Sequence, residues 1–394
     1  MHHTPQLKSR RVHSFEDASY GYEGDLKRAI EIADYYGFSL SRPLTISKED
    51  RMCEQKHNCP VHHAAALRTF VTNDVHQGNV VLAAHTRKAP YKKNLELRLE
   101  VIGDRESSAE GLLFQTVQAI LHEYGYRDLT TTINSVGGRE SVAAYAQALA
   151  AYYRPRLNDL EGSCREAFKE SVFAPLRCTH HKCLEVRTEA PQSLNYLSEP
   201  SRAHFKEVLE YLESLEIPYN VDPFLVGPEH YTSRTVFSFA PTGETENLDG
   251  PLAYGERYDH LSRKIGHKKS IPALQATLSL PMRSSRERYV INKRPAKTPS
   301  VFVVQVGLQA KIRTLAIGEN LRRARIRVRT TLHQNNVAEQ MDRARLLGTP
   351  FIVIIGQKEV YDGTALVRHI ATNQQDSIPL SRLPDYLKDR AKRG

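Results

Sequence analysis

Two short runs concentrate side chains that bind metals: Cys53-x3-His57-x-Cys59-x2-His62-His63 and Cys178-x-His180-His181-x-Cys183. Zinc takes four thiolate or imidazole ligands in a tetrahedron. Cys53, Cys59, Cys178 and Cys183 are therefore the candidate ligands. Their spacings, Cys-x5-Cys and Cys-x4-Cys, are wider than the tight Cys-x2-Cys knuckle, so incidental histidines and free thiols are the competing reading. A third feature suits phosphate. Arg325, Arg327 and Arg329 alternate with Ile326 and Val328. In an extended strand the three guanidiniums share one face while the apolar pair packs inward. Such a stripe fits an RNA backbone, or else a solvated edge that arginine protects from aggregation.

Charge distribution supports the RNA reading. The net charge is +10, but residues 301–394 hold 16 Lys/Arg against 8 Asp/Glu, whereas the first 300 hold 39 against 37. A basic module on a near-neutral body implies a polyanionic partner, most simply RNA. At 394 residues the chain can form two or three domains with proper cores. No apolar run approaches the ~20 residues that span a bilayer, so no membrane partner is expected. The first residues lack the apolar stretch of a secretory signal. Five cysteines in a long chain argue for reduced thiols or a metal over a disulfide framework, which makes a cytoplasmic setting the expectation.

The elements that must position these groups follow from periodicity. Residues 24–37 read as a helix with Leu26, Ala29, Ile30 and Ala33 on one face, then a short strand to Pro43. Residues 80–84 and 95–102 read as a strand hairpin, 109–124 as an amphipathic helix, and 130–137 as a strand and turn. Residues 139–215 are mostly helical, with a stripe of Phe205, Val208, Leu209, Leu212 and Leu215. Strands recur at 233–239 and 252–265. After a Lys/Arg/Pro-rich stretch at 283–299 the pattern alternates: strand 301–307, helix 309–324, strand 325–332, helix 337–347, strand 350–356, a turn at Tyr361-Asp362-Gly363 into a further strand, and a last helix over 380–390. That order predicts a small α/β domain with a largely parallel sheet.

The segment Leu225-Val226-Gly227-Pro228-Glu229-His230-Tyr231-Thr232-Ser233-Arg234-Thr235-Val236-Phe237 resembles the histidine-site motif of histidyl-tRNA synthetases. The flanks match; the centre does not. Gly227 stands where the family keeps a catalytic arginine and His230 where it keeps an aspartate. The resemblance extends over nearly the whole chain. The helix, strand and Pro43 resemble motif 1 of class II synthetases, which builds the dimer interface in that family. Gln340, Ala344, Gly348, Pro350, Gly356, Glu359, Gly363, Arg368 and Gln374 match the anticodon-binding domain shared by the histidyl, glycyl, threonyl and prolyl enzymes.

What the resemblance implies about chemistry is mixed. Arginines that stabilise a phosphoryl transition state each contribute ~10²–10³ in rate, and the expected ones are missing. The motif 2 Phe-Arg-x-Glu falls near Val81-Leu82-Ala83-Ala84, unless Arg87 slides in through a gap. The motif 3 arginine becomes Met282, with Arg283 one residue late and Pro281 disrupting the expected helix. In Leu67-Arg68-Thr69-Phe70-Val71-Thr72, Phe70 replaces the glutamate that receives the substrate ammonium. Pocket remnants survive: Glu100 matches the carboxylate at the base of the histidine pocket, Arg257 and Tyr258 match the family's Arg-Tyr-Asp, and Arg234 precedes Thr-Val-Phe. These residues can hold a ligand or serve as framework satisfying buried hydrogen bonds, which is the rule for buried polar groups.

The expected architecture is an α+β class II aminoacyl-tRNA synthetase-like antiparallel sheet with helices, plus a C-terminal α/β anticodon-binding-like domain. The expected divisions are a degenerate catalytic core at 1–138 and 216–290, a helical insertion at 139–215, a linker at 283–299, and the anticodon-binding-like domain at 300–394. The expected function is a synthetase-like protein without adenylation, with no catalytic residues of its own, binding tRNA or other RNA as a homodimer. Two alternatives stand beside it: an active histidine–tRNA ligase using ATP and Mg²⁺, and a regulatory partner resembling the synthetase-like subunit of ATP phosphoribosyltransferase. No cofactor is expected: incidental histidines and free thiols are preferred over a zinc site.

Overall fold

The computed structural model describes residues 21–41, 44–57, 59–72, 80–88, 94–242, 250–281, 288–290 and 298–393. Pro43 and most of the expected linker lie outside them. In chain order, β1 (Gly21–Glu23) and a 3-10 turn lead into α1 (Lys27–Tyr35), β2 (Ser39–Leu40), α2 (Lys48–His57), α3 (Val61–Thr72), β3 (Val81–Lys88), β4 (Asn94–Ile102), α4 (Ser108–Glu123) and β5 (Leu129–Ser135). Helices α5 (Arg139–Tyr153), α6 (Gly162–Phe168), α7 (Ala174–Arg177), α8 (His181–Arg187) and α9 (Glu199–Ser214) follow. Then come β6 (Tyr219–Val221), β7 (Ser233–Pro241), β8 (Ala253–Arg257), α10 (Leu261–Lys264), β9 (Ala273–Pro281) and β10 (Arg288–Val290), the last pairing with β1.

Eight strands form one sheet in the order β2-β3-β4-β9-β8-β7-β5-β6. All neighbours are antiparallel except the two outer pairs, β2–β3 and β5–β6. Period-2 alternation sorts its faces. Leu95, Leu97, Leu99 and Val101 on β4 join Phe237 and Phe239 on β7 in the core against α4. Glu96, Arg98 and Glu100 point the other way. Helix α4 is buried nearly all round, because the sheet covers one side while α1, α9 and α11 cover the other. It was expected to be amphipathic, and its exposed face is absorbed by those helices.

Helices α5–α8 enclose a separate apolar cluster around Tyr145, Tyr153, Phe173 and Leu176. The stripe on α9 does not belong to it: Phe205, Val208, Tyr211 and Leu212 pack into the main core with α4.

The C-terminal unit comprises β11 (Val301–Gln305), α11 (Leu308–Arg323), β12 (Val328–Thr330), α12 (Val337–Leu346), β13 (Phe351–Ile355), α13 (Gln357–Asp362), β14 (Thr364–His369), β15 (Gln375–Pro379) and α14 (Leu383–Arg393). Its strand order is β12-β11-β13-β14-β15. The sheet is mixed, not largely parallel: β12, β11 and β13 run together, but β14 and β15 turn antiparallel. A parallel return needs a crossover of about a dozen residues, and the segment between β13 and β14 is shorter than that. The unit docks on the main body through α11. Ile312 and Leu315 enter the main core, Gln115 Nε2 donates to the Leu315 carbonyl at 2.8 Å, and Tyr35 OH donates to the Gly318 carbonyl at 3.0 Å.

Candidate functional site

The polar face of the large sheet carries the site. Register places Ala83 opposite Glu100, Glu100 opposite Gln275, and Gln275 opposite Glu256. His85 lies on the same face of β3 as Ala83, two residues on. Tyr258 continues the Tyr254–Glu256 side of β8. Helices α2, α3 and α10 close the end of this face with Leu67, Tyr231, Leu261 and Ile271. The floor is a row of polar side chains sealed from water: His63, Glu100, Glu256, Gln275 and Tyr258 are all buried.

Several atoms in that floor have no hydrogen-bond partner: both ring nitrogens of His63, Nδ1 of His85, both carboxylate oxygens of Glu100 and the Tyr258 hydroxyl. His85 Nε2 lies 3.5 Å from Glu100 Oε2 and His63 Nε2 lies 3.6 Å from Glu256 Oε1. Both are ion-pair separations, too long for strong hydrogen bonds. Burial alone would raise the Glu100 carboxyl, but His85 and the nearby Arg98 and His63 outweigh it and hold it below its ordinary range. Burial raises the Tyr258 hydroxyl, and the Glu100 charge adds to that. The His63 ring packs 4.3 Å from that of Tyr258, centroid to centroid. A buried carboxylate, a tyrosine and two imidazoles with unspent hydrogen-bonding capacity can receive a small cationic or amine-bearing ligand, or water.

Gly227 occupies the turn above this floor. Thr232 Oγ1 donates to Glu256 Oε2 at 2.8 Å, and Tyr231 OH donates to Glu256 Oε1 at 3.2 Å. A Cβ at Gly227 would stand 2.3 Å from Thr232 Oγ1 and 2.4 Å from Glu256 Oε2. The space for a side chain at this position is thus filled by a Thr–Glu hydrogen bond. The neighbouring Glu229 is turned toward the helical unit, where it accepts from Ser171 Oγ and the Val172 N–H, each at 2.9 Å.

The remaining motif positions are likewise occupied. Leu82 packs toward the main core and Ala83 faces Glu100. Arg87 pairs in register with Glu96, four residues along β3 from Ala83, or ~14 Å at ~3.4 Å per residue; its side chain lies outside the described residues. β9 stays in the sheet through Pro281, opposite Asn94, where the resemblance leads one to expect a helix; Met282 and Arg283 lie outside the described residues. Residues 67–72 complete the helix α3, with Phe70 packed on the apolar cluster. Arg68 is held by Asp50, Nη2 to Oδ2 at 2.8 Å.

Two of the four expected pocket residues reach this floor, Glu100 and Tyr258. Arg257 does not. Alternation along β8 turns it to the α4 face, where it is fully buried. There its Nε and Nη2 donate to the two oxygens of Glu110 at 2.9 and 2.6 Å, and Nη1 donates to the Asp104 carbonyl at 2.8 Å. Burial alone would raise the Glu110 carboxyl, but Arg257 and His204 overcome it and hold it well below its ordinary range. Arg257 is therefore framework. Arg234 sits at a register break in β7 with a left-handed backbone, φ +52°, and exchanges backbone hydrogen bonds with Gly137 and Val136 at 2.7 and 2.8 Å. The sequence reading placed His63 only in a metal-binding run and did not assign His85, Glu256, Gln275 or Arg98 to this floor. The 2-residue spacing of Glu96, Arg98 and Glu100 was the available signal for Arg98.

The arginine stripe does not form as drawn. Strand β12 begins only at Val328. Arg325 takes a left-handed turn after α11, φ +62°, and Arg329 Nη1 donates to the Tyr35 carbonyl at 2.7 Å. Arg325 and Arg327 are exposed. Exposed Tyr361 adds an aromatic surface on the same unit. Of the candidate metal ligands, Cys53 and Cys59 form their own pair with sulfurs 2.9 Å apart. Cys178 and Cys183 meet a third thiol, Cys164, which sequence spacing did not flag.

An antiparallel sheet closed by helices, carrying a polar ligand floor and a C-terminal α/β unit, defines a class II aminoacyl-tRNA synthetase fold. A solved structure of apo histidyl-tRNA synthetase from S. aureus matches it with a TM-score of 0.52 at 22% identity, covering 92% of this chain and 94% of that one. Residues 300–390 match the family described as "Anticodon binding domain". The histidine–tRNA ligase of Dehalococcoides mccartyi strain 195 is 29% identical over 330 residues, 82% of this chain and 77% of its own. That of Geobacillus thermodenitrificans is 29% identical over 304 residues, 77% of this chain and 71% of its own. Over most of its length the chain is thus similar to histidyl-tRNA synthetases, and its last quarter matches an anticodon-binding domain. Among the described residues no helix is long and apolar enough to cross a membrane.

Proposed function

We propose that this chain is a synthetase-like protein that does not form an aminoacyl-adenylate and that binds tRNA or a related RNA through its C-terminal unit. The observation that carries the first half is Gly227. The position where the family resemblance expects a transition-state arginine has no side chain, and Thr232 and Glu256 fill the space one would need. Ala83 opposite Glu100 and the continuation of β9 through Pro281 support the same reading. The charge excess of residues 301–394, with exposed Arg325, Arg327 and Tyr361, supports RNA binding; phosphate contacts and base stacking are the physical basis. The deciding experiment is histidine-dependent ATP–pyrophosphate exchange alongside filter binding of total tRNA. Exchange at background with salt-sensitive tRNA binding is expected. Exchange at a rate typical of ligases refutes the first half, and tRNA binding no tighter than to a neutral control protein refutes the second.

The unpartnered atoms of Glu100, Tyr258 and His63 favour a further reading of the floor, that it still receives histidine without activating it. Calorimetric titration with histidine tests this, and no heat at millimolar ligand excludes it. The α1–β2 segment resembles the dimer-forming motif, so we propose a homodimer. Within one chain α1 already packs on α4 and contacts the C-terminal unit, which leaves its remaining surface and the short edge strand β2 for a second copy. Light scattering at micromolar concentration should give twice the mass of 44.7 kDa.

A further inference from the structure

Cys164, Cys178 and Cys183 come from three separate short elements. Cys164 lies on α6, Cys178 directly follows α7, and Cys183 lies on α8. Their sulfurs all fall within 4.8 Å of one another. Cys164 and Cys183 are buried and Cys178 is half-buried. We propose that these three thiols hold one structural zinc ion.

The geometry suits the ion. Ligands at ~2.3 Å around a tetrahedral zinc stand just under 4 Å apart, so small side-chain movements bring three sulfurs at this separation onto one metal. The sulfur type selects a thiophilic ion over calcium or magnesium. The Glu161 backbone N–H already donates to Cys183 Sγ at 3.4 Å, the kind of outer contact that steadies a metal-bound thiolate. Binding releases the three thiol protons to solvent, and no electron is transferred. Near Cys178 in sequence, exposed His180 precedes α8 and exposed His181 opens it, and either imidazole, or water, is of the type that completes the set.

The surrounding architecture gives the ion a purpose. Helices α6, α7 and α8 are seven, four and seven residues long. Helices this short are not stable by themselves, and their shared cluster is separate from the main core. A metal that joins them supplies folding free energy directly. The same unit holds Glu229 of the Gly227 turn through Ser171 and Val172, between α6 and α7. Its order is thus tied to the candidate site.

The test uses the full chain, purified under reducing, chelator-free conditions and analysed for metal by mass spectrometry. About one zinc per chain is expected. After chelation, added Co²⁺ should produce a thiolate-to-cobalt charge-transfer band. Cys178→Ser, at the half-exposed ligand, should lose both zinc and band while keeping its far-ultraviolet circular dichroism. Cys53→Ser should keep both. The proposal is overturned by wild-type protein with no zinc and no cobalt band, by zinc retained in Cys178→Ser, or by zinc lost in Cys53→Ser and not in Cys178→Ser. A disulfide among the three thiols in protein isolated with its thiols blocked at lysis overturns it as well.

Discussion

Replacing Arg257 by methionine should destabilise the core without touching ligand chemistry. The guanidinium is fully buried and makes three hydrogen bonds of 2.9 Å or less, two of them to Glu110. Methionine fills similar volume but leaves the Glu110 carboxylate buried with only His204 Nε2 at 2.9 Å and Thr235 Oγ1 at 3.0 Å. Removing one partner of a buried ion pair costs about 3–5 kcal/mol. For a domain of this size that corresponds to a Tm lower by roughly 10 °C. Replacing both partners by apolar residues should recover much of the loss, because no orphan charge remains. Acid should act the same way. Glu110 has a depressed folded-state pKa, so the unfolded chain binds its proton first on acidification. Its contribution is complete above the ordinary carboxyl range and is lost as pH falls through and below it. Urea denaturation of the single and double variants at pH 7 measures the cycle. A loss under about 1 kcal/mol in Arg257→Met, together with abolished histidine or tRNA binding, would refute the framework assignment and return Arg257 to the site.

Burial pushes the Asp104 carboxyl up to about 6, so between about pH 4 and 6 the folded state binds the extra proton and stability falls as pH rises. Asp104→Asn keeps the acceptor for the Glu106 N–H and should gain about 1–3 kcal/mol at pH 7 and nothing near pH 4; equal stability at both pH values contradicts the burial argument. Gly227→Ala should cost about 1–3 kcal/mol by overpacking against Thr232 and Glu256, and Gly227→Arg should leave pyrophosphate exchange at background; a stable, active Gly227→Arg protein would show that the arginine alone was missing. Changing Arg325 and Arg327 to glutamine should flatten the salt dependence of tRNA binding by up to ~1.4 in log–log slope at unchanged Tm. Arg329→Gln should instead lower stability, since Arg329 holds the Tyr35 carbonyl; an unchanged slope in the double variant places the RNA elsewhere.

Elements governed by a clean period were legible. The alternation Leu95, Leu97, Leu99, Val101 gave β4, and the apolar run 301–305 gave β11. Errors arose where a local exception overrode the pattern. Arg325 adopts the left-handed turn that glycine or asparagine usually marks, so the strand appeared to start three residues early and the arginine stripe with it. Arg257 was assigned from a motif, although strand alternation puts it on the face opposite Glu256 and Tyr258. The α9 stripe was legible as a stripe but not in its partner, since nothing in Phe205 or Val208 says which of two cores receives it. Cys164 precedes Cys178 by a whole helix and a loop, so no spacing rule could join them.

The sequence shows which site residues differ from the family pattern, but not what became of the space they left. Loss of an arginine by itself leaves a cavity that the missing side chain can re-enter. Here the volume at Gly227 is closed by the Thr232–Glu256 hydrogen bond. The segment containing Phe70 is helical and packs on an apolar cluster. The strand ending at Pro281 extends the sheet. The Gly227 and Phe70 positions thus have packing partners of their own, and groups that act as a unit in catalysis are not restored one at a time. What has not been filled is the polar floor of Glu100, Tyr258, His63 and His85, whose unspent hydrogen bonds are costly to keep buried without an occupant. The proposal that binding is kept without adenylation therefore makes two separable claims, one about the Gly227 edge and one about the polar floor, so calorimetry and pyrophosphate exchange must be run on the same preparation.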